Sequence, residues 1–378
     1  MDIEQFKAGH KQKGVDYYSF IPEKVNHIYS WKDTDLTKLI DNATLRLGEL
    51  NAFSELVPNI DHFIRMHVVK EATVSSKIEG TQTNMEEALL KEKDVKPELR
   101  DDWKEVNNYI TAMNQAVAKL DELPLSSRLL KDAHFILLDG VRGKHKMPGE
   151  FRRSQNWIGG ASIKDASYIP PFWEAVDPLM GDLENLMHNG DSGLPHILRI
   201  AIAHYQFETI HPFLDGNGRI GRLMITLYLV SQNVLRKPVL YLSDFFEKNK
   251  TLYYDNLTRV RTHNDLLHWL RFFLVGVEAT ASASINGLKS ILALKKEVEE
   301  SRIYTMGKKV KVAKILLDQL FIQPVADIED IMQITGLSNV SGYKLIDDFT
   351  RSGILHEITG NRRNRIFVFK EYYDIFNK

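Results

Sequence analysis

The chain has 378 residues, 43% hydrophobic and 26% charged, a soluble globular composition with length for two or three domains. Lys and Arg number 49 against 50 Asp and Glu, so a net charge of −1 excludes attachment to nucleic acid or membrane by bulk charge. The absence of Cys excludes disulfides, thiolate zinc sites and Cys nucleophiles, no uncharged apolar run approaches the roughly 18–20 residues of a membrane span, and MDIEQFKAGHKQKG lacks the apolar core of a signal peptide, so a cytoplasmic protein is expected.

In 35–56, Leu36, Leu39, Ile40, Ala43 and Leu47 recur at three- and four-residue steps and predict an amphipathic helix. Residues 59–79 repeat the pattern with Ile60, Phe63, Ile64 and Val68, and Gly80 is the expected stop. Further helices are predicted over 85–93, 98–121, 126–139, 172–188, 195–210, 218–232, 243–262, 264–278 and 283–303. Residues 156–171 break the rhythm: Gly159-Gly160 lies between short apolar pieces and the segment ends in Pro170-Pro171, predicting a β-hairpin or extended flap. Three short helices at 309–321, 326–334 and 339–351, with Gly336 in the turn and Ser338 as cap, precede a hairpin over 353–369. That succession is a winged-helix pattern and sets apart a domain at 305–378.

The densest chemistry lies in 211–222, His-Pro-Phe-Leu-Asp-Gly-Asn-Gly-Arg-Ile-Gly-Arg, a loop entering a helix N-terminus. Free N–H groups and the positive end of the helix dipole make an anion site there. Gly216 and Gly218 remove Cβ atoms that would block a phosphate. Arg219 and Arg222 share a face of the first turn and can grip phosphate oxygens. Asp215 beside an anion site implies a magnesium ion between carboxylate and phosphates. His211, titrating near neutrality, suits a general base.

This string resembles, at every defined position, the signature of the Fic family (filamentation induced by cAMP), H-x-F-x-[D/E]-G-N-G-R-x-x-R. Upstream, Ser75, Glu79 and Gly80 match the family's inhibitory pattern [S/T]-x-x-x-E-[G/N]. The resemblance covers about residues 20–280. It implies a mainly α fold: a Fic helical core with a β-hairpin flap, followed by the winged-helix domain. The domains would be 1–120, an N-terminal helical region carrying the inhibitory motif; 121–280, the catalytic domain; 281–304, a connecting helix; and 305–378.

The resemblance further implies a protein adenylyltransferase that moves AMP from ATP to a Ser, Thr or Tyr hydroxyl of a protein, itself included. His211 would take the hydroxyl proton. Asp215 would hold Mg²⁺. Gly216, Asn217, Gly218, Arg219, Ile220, Gly221 and Arg222 would bind the phosphates, the Asn217 side chain helping to fix the α-phosphate. Asn249 would contact the nucleoside, and Tyr253 or Tyr254 the base. Gly218, where the family's phosphate-transferring branch resembles Lys, favours AMP transfer. Glu79 would pair with Arg222 and block the γ-phosphate site, with Ser75 on the same helix face. The 156–171 flap would align an extended target segment.

A homodimer is expected from family habit. Two other functions stay open: removal of AMP, with Glu79 orienting a water, and a DNA-binding regulator or adaptor with a low-turnover Fic sensor. Residues 305–378 hold 11 Lys and Arg against 9 Asp and Glu, and the expected recognition helix, Asn339–Thr350, sets one Lys against Asp347 and Asp348. That helix is a poor surface for phosphates, and only the turn Arg362-Arg363-Asn364-Arg365 is clearly basic.

Overall fold

The computed structural model describes residues 1–14, 16–57 and 59–377. It begins with a hairpin, β1 (Gly9–Lys13) and β2 (Tyr18–Pro22), followed by α1 (Thr34–Leu56), α2 (Ile60–Ile78), α3 (Met85–Ala88), α4 (Arg100–Lys119) and α5 (Ser127–Leu137). After a long loop come α6 (Val176–His188), α7 (His196–Ile210), α8 (Asn217–Ser231), α9 (Ser243–Lys248), α10 (Lys250–His263) and α11 (Leu266–Glu297). The C-terminal part holds α12 (Val310–Ile322), β3 (Val325–Asp327), α13 (Ile328–Thr335), α14 (Asn339–Arg351), β4 (His356–Glu357), β5 (Ile366–Val368) and α15 (Lys370–Phe376).

The core is built around α7 and α8. Every residue from Ile197 to Ile210 is buried, polar His204, Gln206 and Glu208 included. A helix buried on all sides belongs at the centre of a bundle. Helices α2, α4 and α5 pack on α8, while α6 and α11 pack on α7. The α1 stripe of Leu36, Ile40, Ala43, Leu47 and Leu50 is buried against α11. Asp33 caps α1 through the Leu36 N–H at 2.5 Å and pairs with Arg271 of α11 at 2.5 Å. Such a cap contributes about 1 kcal/mol.

The C-terminal part is a three-stranded antiparallel sheet, ordered β3-β5-β4, with its helices around it. It closes on α2 through α15. The Phe376 ring lies 5.9 Å from Phe63 and 5.1 Å from His67.

Several elements differ from the periodicity. The helices expected at 264–278 and 283–303 are one helix, Leu266–Glu297, continued by a wide turn over Val298–Ile303. The buried series Phe273, Leu274, Val277, Ala281, Ser284, Ile285 runs through the supposed gap, with no Pro to stop it. The helix expected at 243–262 breaks at Asn249, and the one at 85–93 is a single turn with an Asn84–Glu87 capping box. The flap is no regular hairpin: one antiparallel bridge, Ile158–Tyr168, closes a loop with a 3-10 turn at Ile163–Asp165. None of residues 159–167 is buried, so no alternating apolar face demands longer strands. The β1–β2 hairpin was not signalled by pattern, because β1 is polar and mostly exposed. Its Phe20 N–H donates to the Ile169 carbonyl at 2.9 Å and so buttresses the flap base.

Candidate active site

The loop between α7 and α8 starts at His211, which caps α7 in the left-handed region (φ 51°) and donates its N–H to the Phe207 carbonyl at 2.9 Å. That conformation costs a non-glycine residue about 1–2 kcal/mol. Two side chains hold it: the His211 carbonyl accepts from Arg152 Nε at 3.0 Å and from Asn156 Nδ2 at 3.3 Å. Arg152, 1% exposed, also donates to the carbonyls of Ser154 (3.2 Å), Pro171 (2.6 Å) and Ile210 (3.3 Å). One guanidinium thus joins the flap base to the end of α7.

The middle of the loop is braced by His134 of α5, which is fully buried and stacks on Phe213 with centroids 3.8 Å apart. The Gly149 N–H donates to its Nδ1 at 2.9 Å, so Nε2 carries the proton and donates to the Asp215 carbonyl at 3.0 Å. Burial holds His134 neutral, with its pKa lowered to about 4. Gly216, at φ 74°, makes the left-handed entry into α8.

The phosphate-binding candidates divide. The N–H groups of Asn217, Gly218 and Arg219 precede the first helical bond, Ile220 N–H to the Gly216 carbonyl at 3.1 Å. The Gly216 N–H is engaged by Asp215 Oδ1 at 2.6 Å. The Asn217 side chain braces the loop instead of facing a ligand: Oδ1 accepts the Phe213 N–H and Nδ2 donates to the Phe213 carbonyl, both at 2.8 Å. Ile220 is core, its N–H already in the helix. Gly221 leaves room for the Glu208 carboxyl, which a Cβ there would strike. The Asn217 side chain, Ile220 and Gly221 are thus engaged within the fold, while the Asn217 N–H precedes the first helical bond.

Arg219 and Arg222 are 4% and 3% exposed. Arg219 lies 3.5 Å from Glu105 and 3.6 Å from Asp215. Arg222 donates Nε to Ser75 Oγ at 2.8 Å, and Nη2 to the Ser75 carbonyl at 2.9 Å and to Glu79 Oε1 at 2.7 Å. Glu79 sits just past the end of α2, its carboxylate so close over Gly218 that a Cβ at 218 would collide with it. An anion thus already occupies the N-terminus of α8. Burial pushes the Glu79 pKa up, but the Arg222 charge and hydrogen bond, with Arg219 and His211, outweigh it and hold the carboxyl below its ordinary value. The end of α2 is also held by Lys250, whose ammonium donates to the Ile78 carbonyl at 2.7 Å.

His211 is half-buried; its Nδ1 is enclosed without a hydrogen bond, leaving Nε2 on the open side. Desolvation first, then the Arg152 charge, lowers its pKa to about 4, while Glu79 and the nearby Glu208 carbonyl pull the other way. The imidazole is neutral at neutral pH and can accept a proton. Asp215 is 43% exposed, and only Oδ1 is engaged among the described residues. One open carboxylate beside an anion site fits magnesium, which typically takes one or two protein carboxylates and completes its shell with phosphate and water. Among the described residues no cluster of three or more His, Cys, Asp or Glu forms an all-protein cage.

Asn249 donates Nδ2 to the Phe245 carbonyl at 2.9 Å and caps α9. Tyr253 is core, bonded to His204 Nε2 at 2.9 Å, whereas Tyr254 is 40% exposed and is the one of the pair open to a base. Arg152, Asn156 and His134 were missed by sequence reasoning. Each is a single residue with no local pattern, and only the fold brings it to the loop.

Residues 37–118 match the family model described as "Fic/DOC family N-terminal", and residues 124–229 the one described as "Fic/DOC family". The "Protein adenylyltransferase Fic" of Culex quinquefasciatus is 33% identical over 178 residues, 47% of this chain and 31% of that protein. The Aedes aegypti protein of the same name is 31% identical over the same shares. This chain therefore spans about a third of the length of these curated relatives. Among solved structures, a Fic family protein from Desulfovibrio desulfuricans aligns at TM-score 0.57 and 18% identity, covering 91% of this chain and 98% of the other. Fic-1 of C. elegans (aa134–508) aligns at 0.51 and 23%, covering 70% and 76%. These likenesses are of fold. No described helix is long and apolar enough to cross a membrane. With the loop at the start of α8 and the helical core around it agreeing, the two matched segments, residues 37–118 and 124–229, are a Fic/DOC family N-terminal region and a Fic/DOC family domain.

Proposed function

We propose that this chain is a protein adenylyltransferase, held inactive by Glu79. The observation that carries this is the placement of one carboxylate, Glu79, on Arg222 and over Gly218 at the head of α8, where a triphosphate would otherwise lie. Curated relatives named protein adenylyltransferase support the same chemistry.

In the proposed reaction ATP lies along the loop. The N–H groups of Asn217, Gly218 and Arg219 and the two guanidiniums bind its phosphates. Asp215 would hold magnesium, which supplies charge neutralisation between the phosphates. A target hydroxyl gives its proton to the neutral His211 imidazole, and its oxygen attacks the α-phosphorus. The bond from that phosphorus to the bridging oxygen breaks, and pyrophosphate leaves with the electron pair. The protein contributes position and charge, with no covalent intermediate. Tyr254 and the flap loop border the nucleoside and target sides. The C-terminal helix–strand–helix–helix–hairpin is proposed to be a winged-helix module, and the protein to act in the cytoplasm.

The test is incubation with α-labelled ATP and magnesium. Glu79→Gly is expected to label itself or added protein about 10-fold or more above the parent, as removal of a competing buried charge contact allows. His211→Ala in that background is expected to lose about 10²–10⁴-fold. Equal labelling of parent and Glu79→Gly removes the inhibitory role; no label from either removes the transfer.

A further inference from the structure

Between α2, α9, α11 and α15 lies a cavity of about 480 Å³. That volume is within the usual range for a small-molecule site. The cavity exists because α11 presents Ala283 and Gly287 there; a Cβ on Gly287 would meet only the Phe63 ring, at 3.8 Å. Phe245 and Phe376 form apolar walls.

The charge sits at one place. Lys70 of α2 and Lys248 of α9 both reach Asp244 Oδ2, at 3.4 and 3.0 Å. Lys248 is 57% exposed and Lys70 20%, so the pair runs from the mouth inward. Two ammonium groups share one carboxylate. Glu71, also on the wall, is 4% exposed and spends its carboxyl on Ser243 and Tyr109, and burial raises its pKa. His67 is held neutral, burial and then the Lys70 charge lowering its pKa to about 3. Among the described residues the two ammonium groups have only the Asp244 carboxylate as an ion-pair partner, next to apolar walls.

We propose that this cavity binds a small organic monoanion, a carboxylate seated between Lys70 and Lys248 with an apolar body against Phe245 and Phe376. The occupant bridges α2 to α9 and α15. Lys70 and Ser75 are little more than one helical turn apart on α2, so the ligand fastens the helix that presents Ser75 and Glu79 to Arg222. It therefore strengthens inhibition. This second step rests on the proposed function; the binding does not.

Calorimetry on the full chain without nucleotide tests the site, with octanoate and octylamine as probes. One octanoate per chain is expected, and octylamine is not expected to bind. Ala283→Phe, which fills the cavity, and Lys70→Gln, which removes one of the two ammonium groups, are each expected to weaken octanoate about tenfold or more, in line with the loss of a charge-assisted contact. Circular dichroism checks that each variant is folded; if Ala283→Phe is not, Lys70→Gln decides. No octanoate binding at millimolar concentration, equal binding of the two probes, or unchanged affinity in the folded variants overturns the site. Octanoate is further expected to lower labelling by the parent and leave Glu79→Gly unaffected. Binding with no change in labelling keeps the site and rejects the coupling.

Discussion

Two regions of the molecule carry arginines on or near a helix, and they differ in every respect that matters for holding a phosphate. At the head of α8, Arg219 and Arg222 are buried and paired with carboxylates, beside free helical N–H groups. In the C-terminal turn, Arg362 and Arg363 are exposed, and α14 beside them has its Asp348 paired with Lys309 and Arg351. A buried guanidinium cannot wait unpaired for its ligand, because desolvation without a partner is costly. Glu79 supplies that partner here, and under the proposed function its inhibitory role would follow from the burial of the arginines. The exposed turn needs no such stand-in.

The comparison breaks most visibly at Arg222. In a Glu79→Gly background, Arg222→Gln is expected to lower labelling from ATP about 10²–10³-fold, the usual cost of one transition-state donor. Labelling that survives would mean that the arginine serves only the inhibitor.

Arg152 offers a sharper cut, because its charge and its geometry can be separated. Arg152→Gln removes a charge that helps keep the His211 pKa near 4, so the imidazole protonates at higher pH and the acid limb of the transfer rate moves upward. Arg152→Lys keeps the charge but loses the fork, so its limb stays while kcat falls about tenfold or more, as expected for a misplaced base. NMR titration of His211 in both variants, scored against the rate profile, checks the sign. A purely structural Arg152 would move neither pKa.

Ser75→Ala removes one of the three hydrogen bonds that hold Arg222 to α2. About 1 kcal/mol of inhibition, or roughly fivefold in labelling, is expected to be lost, well below the effect of Glu79→Gly. At the other pole, the double change Arg362→Ala and Arg363→Ala is expected to leave labelling unaltered, and the parent chain to give no gel retardation of DNA at low salt. Retardation with a steep salt slope, lost in the double variant, would assign DNA binding to the turn.

How much of this was readable before folding follows from where the information lies. His211, Asp215, Gly218, Arg219 and Arg222 lie in one contiguous stretch, and their types and order carry the proposed chemistry. The parts of Asn217, Ile220 and Gly221 did not follow from it, since which polar groups stay free depends on where the first helical bond falls. Tyr253 and Tyr254 are neighbours with the same side chain, and only burial separates the core residue from the open one. The break at Asn249 and the continuity of α11 show the same limit at the level of elements: apolar spacing locates a helix face well and its ends poorly.

The Arg152 side chain makes four hydrogen bonds to backbone oxygens: to Ser154 and Pro171 on the two sides of the flap, and to Ile210 and His211 at the end of α7. The base of the flap and the backbone of His211 therefore share one planar anchor.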